Sequence, residues 1–112
     1  MVRIKRVYEP PQRADGVRVL VDRLWPRGLS KTQAKVDLWL RDVAPSDALR
    51  KWFAHEPAKW PGFQQRYVAE LKDKTEELQR LKQERRVITL VYAASDTVRN
   101  NAVVLARLLN KR

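Results

Sequence analysis

Residues 17–29 read Val17-Arg18-Val19-Leu20-Val21-Asp22-Arg23-Leu24-Trp25-Pro26-Arg27-Gly28-Leu29. The first part of this segment is a nearly unbroken β-branched and aliphatic run, which is typical of a strand buried on both faces. The second part combines a carboxylate, two arginines, a tryptophan and a Pro/Gly break. Because α/β proteins build sites where an apolar strand delivers polar side chains to a turn, the segment predicts both a central strand and one wall of a site.

A second apolar strand is predicted over residues 87–93, and it is followed by the N-cap candidates Ser95 and Asp96. These two residues predict a final helix from about Thr97 to Leu109. Two buried strands that each feed a turn and then a helix indicate an α/β fold, here a single-domain three-layer sandwich with a mostly parallel central sheet. The side chains expected to be almost fully buried in adjacent strands are Val19, Val21, Leu90 and Val91.

The N-terminal half supplies shorter elements. Residues 2–8 predict an edge strand, because basic side chains separate its apolar ones. The loop that follows does not define a register, so antiparallel pairing with the central strand is only a guess. Ser30 and Gln33 match the capping box of a short helix. Residues 37–44 fit a strand or a helix, with a short strand slightly favoured.

Two further helices are predicted in the middle of the chain. Ser46 is a good N-cap for a helix over residues 47–54. Apolar side chains at spacings of three, four and seven then predict one long amphipathic helix over residues 58–83. Its opposite face mixes acidic and basic residues and is interpreted as a solvated surface without a function.

The composition excludes several classes of protein. The chain has 112 residues, which is the size of one domain, and it contains no cysteine. Disulfides, thiolate chemistry and zinc–thiolate sites are therefore excluded. No apolar run reaches the roughly 20 residues of a membrane span, and the N-terminus lacks a signal-peptide pattern, so a cytoplasmic protein is expected.

The net charge is +11, and the basic excess is concentrated in residues 1–31 and 87–112. Those segments also hold the candidate site, and most of the excess is arginine, which favours an anionic partner such as a phosphate, a carboxylate or a nucleic acid. The alternative is that these arginines pair locally and keep a small domain soluble.

The carboxyl ends of the two apolar strands define the candidate site, because ligands of open α/β sheets collect there. The candidate ligand-binding residues are Arg23, Trp25, Arg27, Ser95, Asp96 and Asn100. If the two strands are parallel neighbours, Arg23, Arg27 and the turn around Ser95–Thr97 surround one concavity, to which the free amides of a helix N-terminus add positive potential.

Each candidate also has a structural interpretation. Asp22 beside Arg23 and Arg27 fits an ion pair that closes the turn about as well as a ligand role. Trp25 is more typical of packing than of stacking on a base, and Ser95 or Asp96 fits a simple helix cap. His55 and Asp22 are the catalytic candidates, with His55 the only ready proton carrier and Asp22 orienting an arginine.

Cofactor and metal signatures are missing from the sequence. One histidine and scattered carboxylates do not make a specific transition-metal site. There is no P-loop, no GxGxxG and no serine elbow, so no cofactor is expected.

The whole chain resembles the YeaO-like family, within domain-of-unknown-function family 488. The segments that carry the resemblance are Asp15-Gly16, residues 18–28, Asp37-Leu38-Trp39, Ala44-Pro45-Ser46, residues 49–53, His55, residues 89–94, Asn100 and residues 102–105. The resemblance implies a small α/β protein, since members of this family look like small bacterial or archaeal α/β proteins without an assigned activity. Larger relatives carry a Cys-His-Arg-like motif after the late strand, whereas this chain has no cysteine and has Asn101 where the family pattern often has histidine. Both departures weigh against thiol chemistry and against a second imidazole.

Three hypotheses about function follow. The first is an arginine-lined anion-binding pocket for a small phosphorylated or carboxylated molecule, with enzyme activity left open. The second is a nucleic-acid-binding or regulatory module that uses the basic surface. The third is a purely structural partner protein. The oligomeric state is not predicted.

Overall fold

The computed structural model describes residues 1–111. Its sheet contains four parallel strands in the spatial order β1-β4-β2-β3. The strands are β1 (Val2–Arg6), β2 (Val17–Leu20), β3 (Leu38–Trp39) and β4 (Ile88–Tyr92). The α/β fold predicted from the sequence is therefore confirmed, with the two apolar strands β2 and β4 side by side at the centre.

The centre of the sheet is as deeply buried as the sequence predicts. Val19 lies opposite Leu90 and Leu20 opposite Val91, and the amide of Val21 extends the ladder by donating to the Val91 carbonyl at 3.2 Å. Val19, Val21, Leu90 and Val91 are all 0% exposed. This confirms the prediction that both aliphatic runs lie in adjacent strands of one sheet.

The predicted edge position of β1 is confirmed, but the guess of antiparallel pairing with β2 is wrong. β1 pairs in parallel with β4, from Val2 opposite Ile88 to Arg6 opposite Tyr92. The connection over residues 7–16 is long enough to return the chain to the starting end of the sheet before β2 begins. The uncharged β4 then lies between β1 and β2, because a strand without charges is most stable when both of its faces are covered.

The helices are α1 (Lys31–Ala34), α2 (Asp47–Phe53), α3 (Trp60–Leu71), α4 (Thr75–Gln83) and α5 (Asn101–Asn110). Helices α2 to α5 cover one face of the sheet, and α1 covers the other together with Trp25 and Trp39. The third layer of the predicted sandwich is thus a single helical turn and its flanking loops. Within residues 1–111, every helix is too short or too polar to cross a bilayer.

The cap predictions in the first half of the chain are confirmed. The Ser30 side chain accepts from the Gln33 backbone amide, and the Gln33 side-chain oxygen accepts from the Ser30 backbone amide. The Ser46 side chain likewise accepts from the Leu49 amide at the start of α2. The ambiguous segment 37–44 contains the short strand β3 followed by a 3₁₀ turn, as the favoured interpretation predicted.

The prediction of one continuous helix over residues 58–83 is wrong. Helix α3 ends at Leu71 and α4 begins at Thr75. Continuing the apolar stripe beyond Leu71 would place Lys74 and Thr75 against the core, and the next apolar residue is Leu78. The chain breaks instead, and the break lets Leu71 and Leu81 both be buried against the same sheet face.

The predicted start of the last helix at Thr97 is also wrong. Helix α5 begins at Asn101, and its N-cap is Asn100, whose side-chain oxygen accepts from the Val103 amide at 3.0 Å. Asp96 caps a separate turn by accepting from the amides of Val98 and Arg99. Neither Ser95 nor Asp96 caps the helix, because an asparagine at the true boundary competes for that role.

Gly16 provides a test of how tightly β2 is seated against β4. Gly16 has φ +65°, and a β-carbon there would overlap the Val87 carbonyl, which accepts from the Val17 amide at 2.8 Å. We expect Gly16→Ala to destabilise the fold by about 1–3 kcal/mol more than Gly28→Ala, because overpacking adds to the backbone strain. Gly28 is the matched control, since its φ is +83° and no atom lies within 4 Å of an added β-carbon. Urea unfolding of both variants measures the difference, and equal losses would contradict this account.

Candidate functional site

A cleft of about 480 Å³ lies at the carboxyl ends of β2 and β4. The polar and charged residues that line it are Asp22, Arg23, Arg27, Arg50, His55, Ser95, Arg99, Asn100 and Asn101. Aromatic and aliphatic side chains, among them Tyr8, Leu24, Phe53 and Phe63, form the rest of its wall. Of the residues predicted to form the site, all but Asp96 line this one cleft.

The first wall follows directly from the end of β2. After Val21 the chain leaves the ladder, and Pro26 forbids further strand pairing. The Leu29 amide closes the turn on the Pro26 carbonyl at 3.5 Å. Gly28 provides the positive φ that the turn requires. Arg23 and Arg27 can therefore face one concavity instead of alternating across the sheet.

Asp22 is held by the backbone and by an amide side chain. Its Oδ2 accepts from the Ala93 amide at 2.8 Å and its Oδ1 from Asn101 Nδ2 at 3.2 Å. Burial raises the pKa of Asp22 above its ordinary value, although these two hydrogen bonds act in the opposite direction. Within residues 1–111 no arginine bonds to this carboxylate, so the proposed ion pair with Arg23 and Arg27 is wrong. Asp22 instead ties the end of β2 to β4 and α5.

The two predicted arginines differ in how they are held. Arg23 donates to the carbonyls of Ala44 and Pro45, both at 3.3 Å, and its Nε lies 4.0 Å from Asp47 Oδ1. Arg27 is exposed, and its guanidinium has no hydrogen-bond or ion-pair partner in the part of the chain that the structure describes. Only the backbone carbonyl of Arg27 is engaged, by the Tyr8 hydroxyl at 2.8 Å.

Sequence reasoning missed two arginines of the cleft. Arg50 comes from α2, where its Nη2 donates to Asp47 Oδ1 at 3.1 Å. Arg99 comes from the loop before α5, and its Nε lies 3.3 Å from Asp96 Oδ2 but is buried without a hydrogen bond of good geometry. Arg99 follows a strand end, and the predicted helix from Thr97 to Leu109 placed it in the first helical turn. For Arg50, the only local signal of a place in the site was its proximity in sequence to His55.

Trp25 packs as the structural interpretation predicts, although it also lines the cleft. Its Nε1 donates to the Leu29 carbonyl at 2.7 Å, and its ring meets Trp39 edge to face with centroids 5.4 Å apart. His55 is an exposed residue with φ +58°, and its ring lies 6.1 Å from Phe53. No carboxylate or hydroxyl among residues 1–111 bonds to the imidazole, so nothing orients it for proton transfer.

The second wall comes from the loop after β4. Ser95 is exposed, whereas Asn100 is 3% exposed and donates to the Asp96 carbonyl at 2.9 Å. Hydrogen bonds from the amides of Arg99 and Val98 lower the pKa of Asp96 and keep this carboxylate at the turn. Asp96 therefore contributes to the shape of the loop and not to the cleft lining.

The cleft is lined by more cationic than anionic side chains. Four arginines line it against the single carboxylate of Asp22, and the neighbouring carboxylates of Asp47 and Asp96 pair with three of these arginines, namely Arg23, Arg50 and Arg99. Low-dielectric walls strengthen the attraction of such a cleft for anions. No three His, Asp or Glu side chains of the described chain converge as metal ligands would. The arrangement can hold phosphate or carboxylate oxygens through guanidinium groups.

Comparison with known proteins identifies the family of this chain. Residues 1–112 match the family described as the inactive DUF488-N3 subclade, and the chain belongs to this family. It is 47% identical to the uncharacterized protein Rv3073c of Mycobacterium tuberculosis over 113 residues, which cover 99% of this chain and 95% of the relative. It is 43% identical to the uncharacterized protein YeaO of Escherichia coli over 107 residues, 94% of this chain and 93% of that one. No solved structure matches. The resemblance found in the sequence is confirmed.

Proposed function

We propose that this protein binds a small phosphorylated or carboxylated molecule in the cleft and does not turn it over. The observation that carries the proposal is the guanidinium of Arg27, which lines the cleft and has no hydrogen-bond or ion-pair partner among residues 1–111. A second cleft arginine, Arg99, is ion-paired with Asp96 at 3.3 Å, and its buried Nε forms no hydrogen bond of good geometry. A guanidinium without an internal partner in a cleft is suited to bidentate recognition of an oxyanion.

Two observations favour binding over catalysis. The family is described as inactive, and the exposed imidazole of His55 has no orienting partner among residues 1–111. A general base in an enzyme needs such positioning. The apolar part of the wall, which includes Leu24 and Phe53, would cover the carbon skeleton of the ligand.

Isothermal titration with inorganic phosphate at constant ionic strength tests the proposal. We expect saturable binding that Arg27→Ala weakens about tenfold or more, because a charge-assisted bond contributes about 1.5–3 kcal/mol. The phosphate affinity of Arg27→Lys should lie between those of the wild type and Arg27→Ala, since lysine keeps the charge but loses the planar guanidinium. Arg85→Ala is the matched control, because Arg85 is exposed and lies outside the cleft.

Three outcomes would contradict the proposal. Phosphate binding could be absent, or Arg85→Ala could weaken it as much as Arg27→Ala. Hydrolysis of a generic phosphoester that His55→Ala abolishes would instead support an enzyme.

An anisotropy titration with an arbitrary oligonucleotide tests the nucleic-acid alternative. That alternative requires an affinity that falls steeply with salt and that Arg27→Ala and Arg85→Ala weaken equally.

A further inference from the structure

The floor of the cleft presents hydrogen-bond acceptors, which a site for a simple anion does not need. Asp22 is the one carboxylate among the lining residues. It receives one hydrogen bond on each oxygen, from the Ala93 amide and from Asn101 Nδ2. Because each carboxylate oxygen has two acceptor positions, Asp22 retains capacity for a further donor.

Asn101 adds a second acceptor beside Asp22. Its Nδ2 donates both to the Val21 carbonyl at 2.9 Å and to Asp22 Oδ1 at 3.2 Å. Both acceptors are oxygens, so this pair of bonds determines which way the amide points. The Asn101 Oδ1 atom has no hydrogen-bond partner among residues 1–111 and is not wholly buried, so it can accept a hydrogen bond from a ligand in the cleft that Asn101 lines.

The placement of Asp22 has an electrostatic consequence. A carboxylate that pairs with none of the four cleft arginines repels a bare phosphate and weakens its binding. The same carboxylate attracts a cationic group carried by the ligand. A primary ammonium group has three donors and a positive charge, which suits a carboxylate next to a neutral amide oxygen.

We propose that the ligand of this cleft is a small zwitterion, whose phosphate or carboxylate is held by the arginines and whose primary ammonium group lies against Asp22 and Asn101 Oδ1. The inference rests on the proposed function and specifies its ligand class. The volume of about 480 Å³ is sufficient for a small metabolite that spans both groups.

Isothermal titration of the protein with three matched phosphoesters tests this inference. 2-Aminoethyl phosphate carries the ammonium group, propyl phosphate replaces it with a methyl group of similar size, and 2-hydroxyethyl phosphate carries a neutral donor. We expect the wild type to bind the amino compound about tenfold or more tightly than the propyl compound, as one charge-assisted pair allows. We expect the hydroxyl compound to bind with intermediate affinity.

Asp22→Asn should then change the two affinities in opposite directions. Loss of the negative charge should strengthen binding of propyl phosphate and weaken binding of 2-aminoethyl phosphate. A nonspecific loss of the cleft would weaken both, and melting curves report whether the variant folds. If it does not fold, the comparison between amino and propyl compounds on the wild type is decisive without it.

The outcomes separate this inference from the proposed function. If the wild type binds propyl phosphate as tightly as 2-aminoethyl phosphate or more tightly, the proposal of a zwitterionic ligand is wrong, but the proposed anion site stands. If the wild type binds 2-hydroxyethyl phosphate and 2-aminoethyl phosphate equally tightly, the proposed recognition of an ammonium group is wrong. If inorganic phosphate and all three phosphoesters fail to bind, the anion site itself is absent and both proposals fail.

Discussion

Asp15→Ala is expected to lower the free energy of unfolding by about 3–5 kcal/mol, because it removes one partner from a buried charge network. Asp15 is 6% exposed and Arg18 is 3% exposed. Arg18 Nη1 lies 2.7 Å from Asp15 Oδ2, and Lys5 Nζ lies 3.1 Å from both carboxylate oxygens. Without the carboxylate, two cations would face each other on the face of the sheet that carries α1. Urea unfolding measures the loss.

Glu84→Ala is the control for this prediction. It removes a carboxylate from the surface pair with Arg86, whose Nε lies 2.8 Å from Glu84 Oε1. Arg86 is largely exposed, and solvent screens such a pair. We expect no measurable change in stability from this control, and comparable losses in the two variants would rule out the importance of burial at Asp15.

The same network makes a prediction about pH. Burial tends to raise the pKa of Asp15, but hydrogen bonds from Gln12, Lys5 and Arg18 outweigh burial and lower the pKa below 3.8. A carboxyl with a depressed folded pKa stabilises the fold above its unfolded pKa, and that contribution disappears as the pH falls through the folded pKa. The difference in stability between wild type and Asp15→Ala should therefore be constant near neutrality and shrink only below about pH 3.8.

Leu90→Ala should destabilise the fold by about 2–5 kcal/mol, because the substitution leaves a cavity at the centre of the sheet. Leu90 is 0% exposed and lies between Ile4 of β1 and Val19 of β2. Leu24→Ala is the matched control, since Leu24 is 60% exposed and a surface substitution stays within about 0.5 kcal/mol. Equilibrium urea unfolding with an unchanged m-value is the measurement. A loss below about 1 kcal/mol for Leu90→Ala would contradict the described core.

The sequence by itself determined the centre of the sheet and the position of the cleft. The two aliphatic runs have no polar interruption except Arg18 and Thr89, so they had to be buried on both faces. Once they are parallel neighbours, the residues after Val21 and after Tyr92 must meet at one edge. The helix caps at Ser30 and Ser46 could also be predicted from the sequence, because a cap depends only on residues a few positions away.

The tertiary structure alone decided where the helices stop and which polar groups meet. The break between Leu71 and Thr75 exists because α3 and α4 must both face one sheet, whereas apolar periodicity records only neighbouring turns. Asp22 bonds to the Ala93 amide and to Asn101, which are distant in sequence, and not to the arginines next to it. Local patterns identify which side chains are polar, but the partner of a buried polar group depends on how distant elements pack, because hydrogen bonds require an approach within about 3 Å.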